Sequence, residues 1–535
     1  MIDGYLSYLP DPFAVRASLF YLRLPDGSAK RVSGREVSDF SGLLATYDLA
    51  ALVDDLRRLG YAPPSRPLDL GDALRLAAGI PRDEGGDRQW DVWRYLSRYF
   101  ADRQGGAKFA GIAQSRCPRP GEPEITELLD AAAKALHEGW DGILLRLKEA
   151  GELSRLLEVE APVQSIFANR QSVGIAVDHD VVDRLLKEVA DEKYEAYHSV
   201  AAALNSSPSG LNFWNVSQHL ERTDASHLLP TTEGGLLREA FKMAAPNSGF
   251  ARDFLQFADA SRDETILRRA SGVGNRLHPI FNVMGTVSGR ILVADPFLQQ
   301  LRRGYRSLIA PDPNKRLAYL DYAQFEPGIM ASLAHDSGFV AAYNRGDVYE
   351  ALSERVFGTV EDRPLAKRIF LAFSYGMTLE RIATLAVAPN ATEAERGACK
   401  EAVQGFFDAY PGLAKFRADM EAQLSAKGYV SSAFGNRRKR ANAGPLNRKE
   451  RRWAVNQPIQ ATASLVFKEA LIDLARQFGA QSILLPMHDA VLMQFDLAGY
   501  DDAVTAAQTA MVEAFQRRCP TVIPRVVVGP FSIHQ

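Results

Sequence analysis

The amino-acid sequence predicts a multidomain α+β protein. Its 535 residues suffice for about three or four domains. Two patterns set the class. Residues 178–204 and 347–425 carry apolar side chains at helical spacing, whereas the apolar runs at 317–322, 483–487 and 491–495 have strand length.

In chain order, residues 18–24 read as a strand, and Pro25-Asp26-Gly27 as a tight turn. Residues 47–59 read as a helix, the proline-rich 116–124 as a loop, and 124–157 as helical. Asp178 is placed to cap a helix in which Val181, Val182, Leu185, Leu186, Val189, Tyr194 and Tyr197 recur at helical spacing. A polar tip, Asn205-Ser-Ser-Pro-Ser-Gly210, follows, and Leu211-Asn-Phe-Trp-Asn215 leads into a further helix. The runs at 483–487 and 491–495 flank His488-Asp489, which predicts a hairpin with both residues at its turn. Neither an internal repeat nor a low-complexity tract is present.

Composition narrows the class. With 46% hydrophobic and 24% charged residues the chain is an ordinary globular one. No apolar run approaches the ~20 residues of a membrane helix. Met1-Ile-Asp-Gly4 has no basic or apolar leader, so no targeting peptide is expected. Cys117, Cys399 and Cys519 lack metal-ligand spacing and read as reduced thiols of a cytosolic protein. The net charge of −2 does not announce a polyanion partner. A local excess does: Arg437, Arg438, Lys439, Arg440, Arg448, Lys449, Arg451 and Arg452 stand against Glu450 alone. An isolated run of this kind is ordinarily a solvated loop. Its position between two candidate site segments points instead to phosphate contact.

Three segments carry the chemistry. Asp321-Tyr-Ala-Gln324-Phe-Glu326 and His488-Asp489 each put a carboxylate on or beside an apolar strand. Arg363, Lys367, Leu371 and Tyr375 recur at i, i+4 and form one helical stripe, with Pro364 in the first turn. Taken singly, each aspartate is a common turn former and the stripe a common basic helix end. Together they are the parts of nucleotidyl transfer: carboxylates for a metal pair, cations for a triphosphate and a ring for a base.

These segments resemble, in order and wording, the motifs of the family A DNA polymerases. Motif A resembles Asp321-Tyr-Ala-Gln-Phe-Glu326, motif B resembles Arg363-x3-Lys367-x7-Tyr375-Gly376, and motif C resembles His488-Asp489. Thr286-Val-Ser-Gly-Arg290 with Asp295-Pro-Phe-Leu-Gln299 resembles the minor-groove primer segment. Arg452-x3-Asn456-x3-Gln460 resembles the template-contacting helix. The resemblance covers about 158–535. It implies a right-hand polymerase, with a thumb at 158–275, a palm at 276–345 and 426–535, and fingers at 346–425.

By the same resemblance, Asp321 and Asp489 hold two Mg²⁺ ions, Arg363 and Lys367 bind the triphosphate, and Tyr375 lies near the templating position. Glu326 underlies the incoming sugar, with Gln324 and Leu371 nearby. Arg290, Gln299, Asn456 and Gln460 meet minor-groove acceptors, which both base-pair types present. His488 supports the primer terminus. Independently of the resemblance, Arg437, Arg438 and Arg452 of the basic run are expected to meet DNA phosphates by their charge. The implied partners are primer–template DNA and dNTPs, with no membrane, and the implied location is cytoplasmic and nucleoid-associated. Three departures stand out: Ala490 replaces the glutamate of motif C, Pro327-Gly328 replaces Leu-Arg after motif A, and Leu371 occupies the position of the sugar-facing aromatic.

Residues 1–157 resemble a degenerate 3′–5′ exonuclease domain, an RNase H-like α/β unit. Asp48 matches the aspartate of its second motif, but Leu44 replaces the asparagine. Asp130 matches the third motif without the tyrosine, which is Thr126. The first motif is at best Asp3-Gly-Tyr5. Two rivals remain: a single-subunit RNA polymerase of the phage type, against which Glu326 argues, and a non-catalytic DNA-binding relic, against which the retained Asp321 and Asp489 argue.

Overall fold

The computed structural model describes residues 2–10, 18–82, 90–204, 241–242, 245, 248–272, 274–387 and 391–532. The expected tip at 205–210 and the helix after 211 lie outside them.

The N-terminal unit is built on a five-stranded sheet in the order Ala29–Val32, Leu19–Arg23, Gly4–Leu9, Leu44–Thr46, Pro67–Asp69. The first three strands pair antiparallel and the last two join in parallel. Parallel neighbours need a crossover, and the Leu49–Arg58 helix supplies it between Leu44–Thr46 and Pro67–Asp69. The Glu124–Glu149 helix covers the sheet through Leu129, Leu136 and Trp140, all fully buried, and Ser7 donates to its Leu129 carbonyl at 2.7 Å. This unit is α/β, as expected.

The boundary expected at 157 falls inside a helical run. A π-turn, Leu156–Glu160, continues directly into the Ala161–Val173 helix. Asp178 caps the next helix, His179–Leu204, by accepting from the Val181 amide at 3.1 Å, and that helix pairs with Gly249–Ser271.

The second sheet organises the rest of the chain. Its order is Ile483–Met487, Ala490–Asp496, Lys315–Ala323, Arg525–Gly529, with every pairing antiparallel. Ile483–Met487 is buried at all five positions, which explains why it reads as a continuous apolar run. The Arg448–Phe478 and Tyr500–Arg518 helices pack together beside this sheet. Five helices, Val348–Phe357, Arg363–Ser374, Leu379–Ala386, Glu393–Asp408 and Pro411–Lys427, form the block expected at 347–425. Among the described residues no helix is long and apolar enough to cross a membrane.

Candidate active site

A strand and a tight turn deliver the carboxylates. Along Lys315–Ala323, Leu320 and Tyr322 face the core while Asp321 between them is half-buried, so strand alternation turns its side chain toward the opposite face. Met487 pairs with Ala490, leaving His488-Asp489 as a two-residue hairpin loop with His488 in the left-handed region (φ 65°). Asp321 pairs with Ala490, and Asp489 accepts from the Tyr322 amide through its carbonyl at 3.2 Å. Two segments far apart in sequence therefore present adjacent carboxylates from a rigid sheet.

The electrostatics of the pair are strained. Burial, and then the Asp489 charge, push Asp321 up to about 7, against the pull of Lys367 and Arg303. Asp489 is raised too, chiefly by burial, with Glu326 adding to it and Lys367 and His488 opposing. Partial burial in the cleft lowers the His488 imidazole. Among the described residues no cluster of three or more metal-ligating side chains occurs. Two hard carboxylate oxygen donors, undercompensated by side-chain cations, are a donor set that fits Mg²⁺.

Glu326 lies in the first turn of the Phe325–Ala334 helix. One carboxylate oxygen accepts from Arg290 at 2.5 Å and the other from the Tyr375 hydroxyl. Burial and this contact raise the Tyr375 phenol well above its ordinary value. Arg290, Glu326, His488 and Asp489 line one cavity, and Tyr375, Arg452 and Asn456 line an adjoining one.

Arg363 opens the Arg363–Ser374 helix, and Lys367 follows one turn later on an exposed face. Asp347 fixes Arg363, accepting from Nε at 2.9 Å and Nη2 at 2.6 Å. Both cations lie over the Tyr349 ring, at 5.4 and 5.8 Å. Sequence reasoning missed Asp347 and Tyr349. The available signal was an aspartate one residue ahead of a helix, and Asp347 does cap Val348–Phe357. Leu371 packs half-buried at the core margin, and Phe370 faces inward against Tyr349 and Phe407, so the Phe370 ring does not substitute for an aromatic at position 371.

Several expected DNA contacts look different in the fold. Gln299 uses both amide hydrogens on the Ile291 and Pro486 carbonyls (3.1 and 2.9 Å) and accepts from the Val293 amide, so it ties loop to strand instead of offering a free donor. Gln324 is likewise buried, in the left-handed region (φ 53°), with its oxygen on the Val348 amide. The basic run at 437–440 is a strand and its flank, not a loop. Arg437 lies over Tyr429, Arg438 over Trp453, and Arg440 pairs with Glu450 at 2.7 Å. Arg452 is exposed, and Asn456 and Gln460 follow it on successive turns of one helix, both half-buried.

The three exonuclease-motif aspartates do not converge. Asp3 precedes Gly4–Leu9 and accepts from Leu43, Asp48 lies beyond the other end of that strand beside Tyr8, and Asp130 faces Arg23.

A family model described as DNA polymerase family A matches residues 242–528. The chain belongs to DNA polymerase family A. It is 27% identical over 393 residues to DNA polymerase I of Mycobacterium bovis, which covers 68% of this chain and 43% of that protein. It is also 27% identical over 441 residues to the thermostable DNA polymerase I of Thermus caldophilus, covering 73% of this chain and 50% of that protein. The chain thus spans about half or less of the length of these curated relatives. In fold it is similar to the POL domain of Pol1 from M. smegmatis, solved in complex with DNA primer-template and dNTP. The TM-score is 0.76 at 20% identity, covering 98% of this chain and 95% of that one.

Proposed function

We propose that this chain is a template-directed, DNA-dependent DNA polymerase that adds dNTPs to a primer 3′-hydroxyl by two-metal nucleotidyl transfer and does not proofread. One observation carries the reading: Asp321 and Asp489, from distant segments, meet on one sheet with Lys367 acting on both. Membership of the polymerase family and the fold likeness to a domain solved with primer-template and dNTP support it.

Asp321 and Asp489 would hold the metal, and a pair of Mg²⁺ ions there would supply activation of the primer hydroxyl and charge for the leaving pyrophosphate. Lys367 and Arg363 draw the triphosphate to the helix that carries them, Lys as a point charge and Arg as a fork. Glu326, held from both sides by Arg290 and Tyr375, is a fixed wall against a 2′-hydroxyl. Arg290 then meets the primer minor groove, while Asn456, Gln460 and Arg452 follow the template. Gln299 contributes by holding the primer-side loop. The thumb, palm and fingers divide as 158–275, 276–345 with 426–535, and 346–425, and the N-terminal unit is a degenerate exonuclease-like domain.

Primer extension with each dNTP and each rNTP on a defined template tests the reading. Template-matched dNTP addition is expected. Equal use of both sugars favours an RNA polymerase, and no extension with intact DNA binding favours a non-catalytic relic.

A further inference from the structure

The turn Thr286–Arg290 delivers Arg290 to Glu326, and its back is enclosed by buried polar groups from three directions. Gly289 is in the left-handed region (φ 81°), and a Cβ there would meet Arg155 Nη2 at 3.2 Å, Ser464 Oγ at 3.2 Å and Asn436 Nδ2 at 3.3 Å. Ser464 donates to the Gly289 carbonyl at 2.5 Å, and Gln457 donates to the carbonyls of Val287 and Asn436 at 3.3 and 3.2 Å. Arg155 comes from the end of the N-terminal unit. Its side chain is 4% exposed, and its Nε donates to Glu160, which also pairs with Lys468 at full burial. One turn earlier, Glu152 accepts from the Arg437 amide at 3.2 Å. Among the described residues, both Nη atoms of Arg155, Nδ2 of Asn436 and Oε2 of Glu152 are buried without a hydrogen-bond partner.

Such groups are costly, and a buried ion pair is weak evidence for stability. A cluster of them behind one turn makes sense where it fixes a geometry.

We propose that Arg155 is a positioning residue for sugar selection: the N-terminal unit wedges it behind Gly289, holding the turn so that Arg290 anchors Glu326. The inference rests on the polymerase reading. It gives the N-terminal unit a function independent of nuclease chemistry. Glu326 has two anchors, and the Tyr375 anchor does not involve the turn. Loosening the turn therefore weakens the wall without removing it, and dNTP binding through Arg363 and Lys367 is untouched.

The experiment compares kcat/KM for one rNTP and its dNTP in the full chain, with Tm measured alongside. Arg155→Met keeps the bulk of the side chain, and Ser464→Ala loosens the same turn from the opposite side. The rNTP:dNTP ratio is expected to rise about tenfold in Arg155→Met and in the same direction in Ser464→Ala. In an E326A background Arg155→Met should add nothing to the ratio, because both act through one carboxylate. A purely architectural Arg155 lowers Tm and scales both kcat/KM values together. An unchanged ratio in folded Arg155→Met, or a full additive effect on E326A, overturns the inference. If Arg155→Met does not fold, Ser464→Ala and Arg155→Lys decide by the same ratio. Absence of extension by the unmodified chain sinks the polymerase reading, and this inference with it.

Discussion

Tyr375 and Glu326 are joined side chain to side chain: the phenol at the C-terminal end of the Arg363–Ser374 helix donates to a carboxylate in the first turn of Phe325–Ala334. The contact links the helix that carries Arg363 and Lys367 to the strand–turn segment that carries Asp321. Any movement of that helix is felt at Glu326, the residue proposed to face the incoming sugar.

Sugar discrimination should therefore depend on Glu326 and partly on Tyr375. Glu326→Ala is expected to raise the rNTP:dNTP ratio of kcat/KM by about 100-fold, or ~2.7 kcal/mol. Tyr375→Phe removes one charge-assisted hydrogen bond, ~1.5–3 kcal/mol in magnitude, but leaves Arg290 in place, so its effect should be smaller. Competing ribo- and deoxynucleotides in single-nucleotide extension read both. A larger change in Tyr375→Phe than in Glu326→Ala contradicts the arrangement.

The pH dependence of stability follows from Asp321. Its carboxyl is raised to about 7 by burial and by Asp489. Folding then takes up a proton between the unfolded value, about 3.9, and 7. The contribution is fully present below that window and is lost as pH rises through it. In EDTA, the Tm of the unmodified protein should fall from pH 5.5 to pH 8 more than that of Asp321→Asn. Magnesium should recover the Tm lost at pH 8, because a cation favours the charged carboxylates. Identical pH slopes in the two proteins contradict the assignment.

Nuclease activity should be absent. Asp3, Asp48 and Asp130 lie in separate places, and phosphodiester hydrolysis by metal needs carboxylates converging on one phosphate. A 5′-labelled single strand incubated with Mg²⁺ or Mn²⁺ should stay full length. Progressive 3′ shortening that survives Asp321→Ala contradicts this.

Arg452 should carry more of the salt dependence of DNA binding than Arg437 or Arg438. It is exposed at the Tyr375 cavity, whereas Arg437 is stacked on Tyr429, and Arg438, which lines the same cavity, is half-buried and stacked on Trp453. Arg452→Ala should make the log–log salt slope shallower by about 1. A slope that responds only to the ring-stacked arginines reverses this ranking.

Local rules made much of the fold readable. Asp178 capping a periodic helix, and a hairpin turn at His488-Asp489 between the apolar runs at 483–487 and 491–495, are encoded within a few residues, and both stand in the structure. The convergence of Asp321 with Asp489 was legible through motif order, because one lies on a recognisable apolar strand and the other in the turn directly after one. The internal engagement of Gln299 was not, since its partners include the Pro486 carbonyl, far away in the chain. The same holds for the basic run, whose arginines lie over Tyr429 and Trp453. The helical stretch expected to end at 157 runs on through the π-turn Leu156–Glu160, where buried Glu160 pairs with Lys468, a partner far away in the chain.

The central claim is that Asp321 and Asp489 act as one metal-holding unit. Single-turnover primer extension in Mg²⁺ tests it most directly, using Asp321→Ala, Asp489→Ala and the double variant, with primer–template affinity measured in parallel. Residues acting as a unit are non-additive. Each single variant should therefore lose extension by about 1,000-fold or more, the double should be no worse, and DNA affinity should stay within about threefold, a change under 1 kcal/mol. Extension by either single variant within about tenfold of the unmodified rate contradicts the claim.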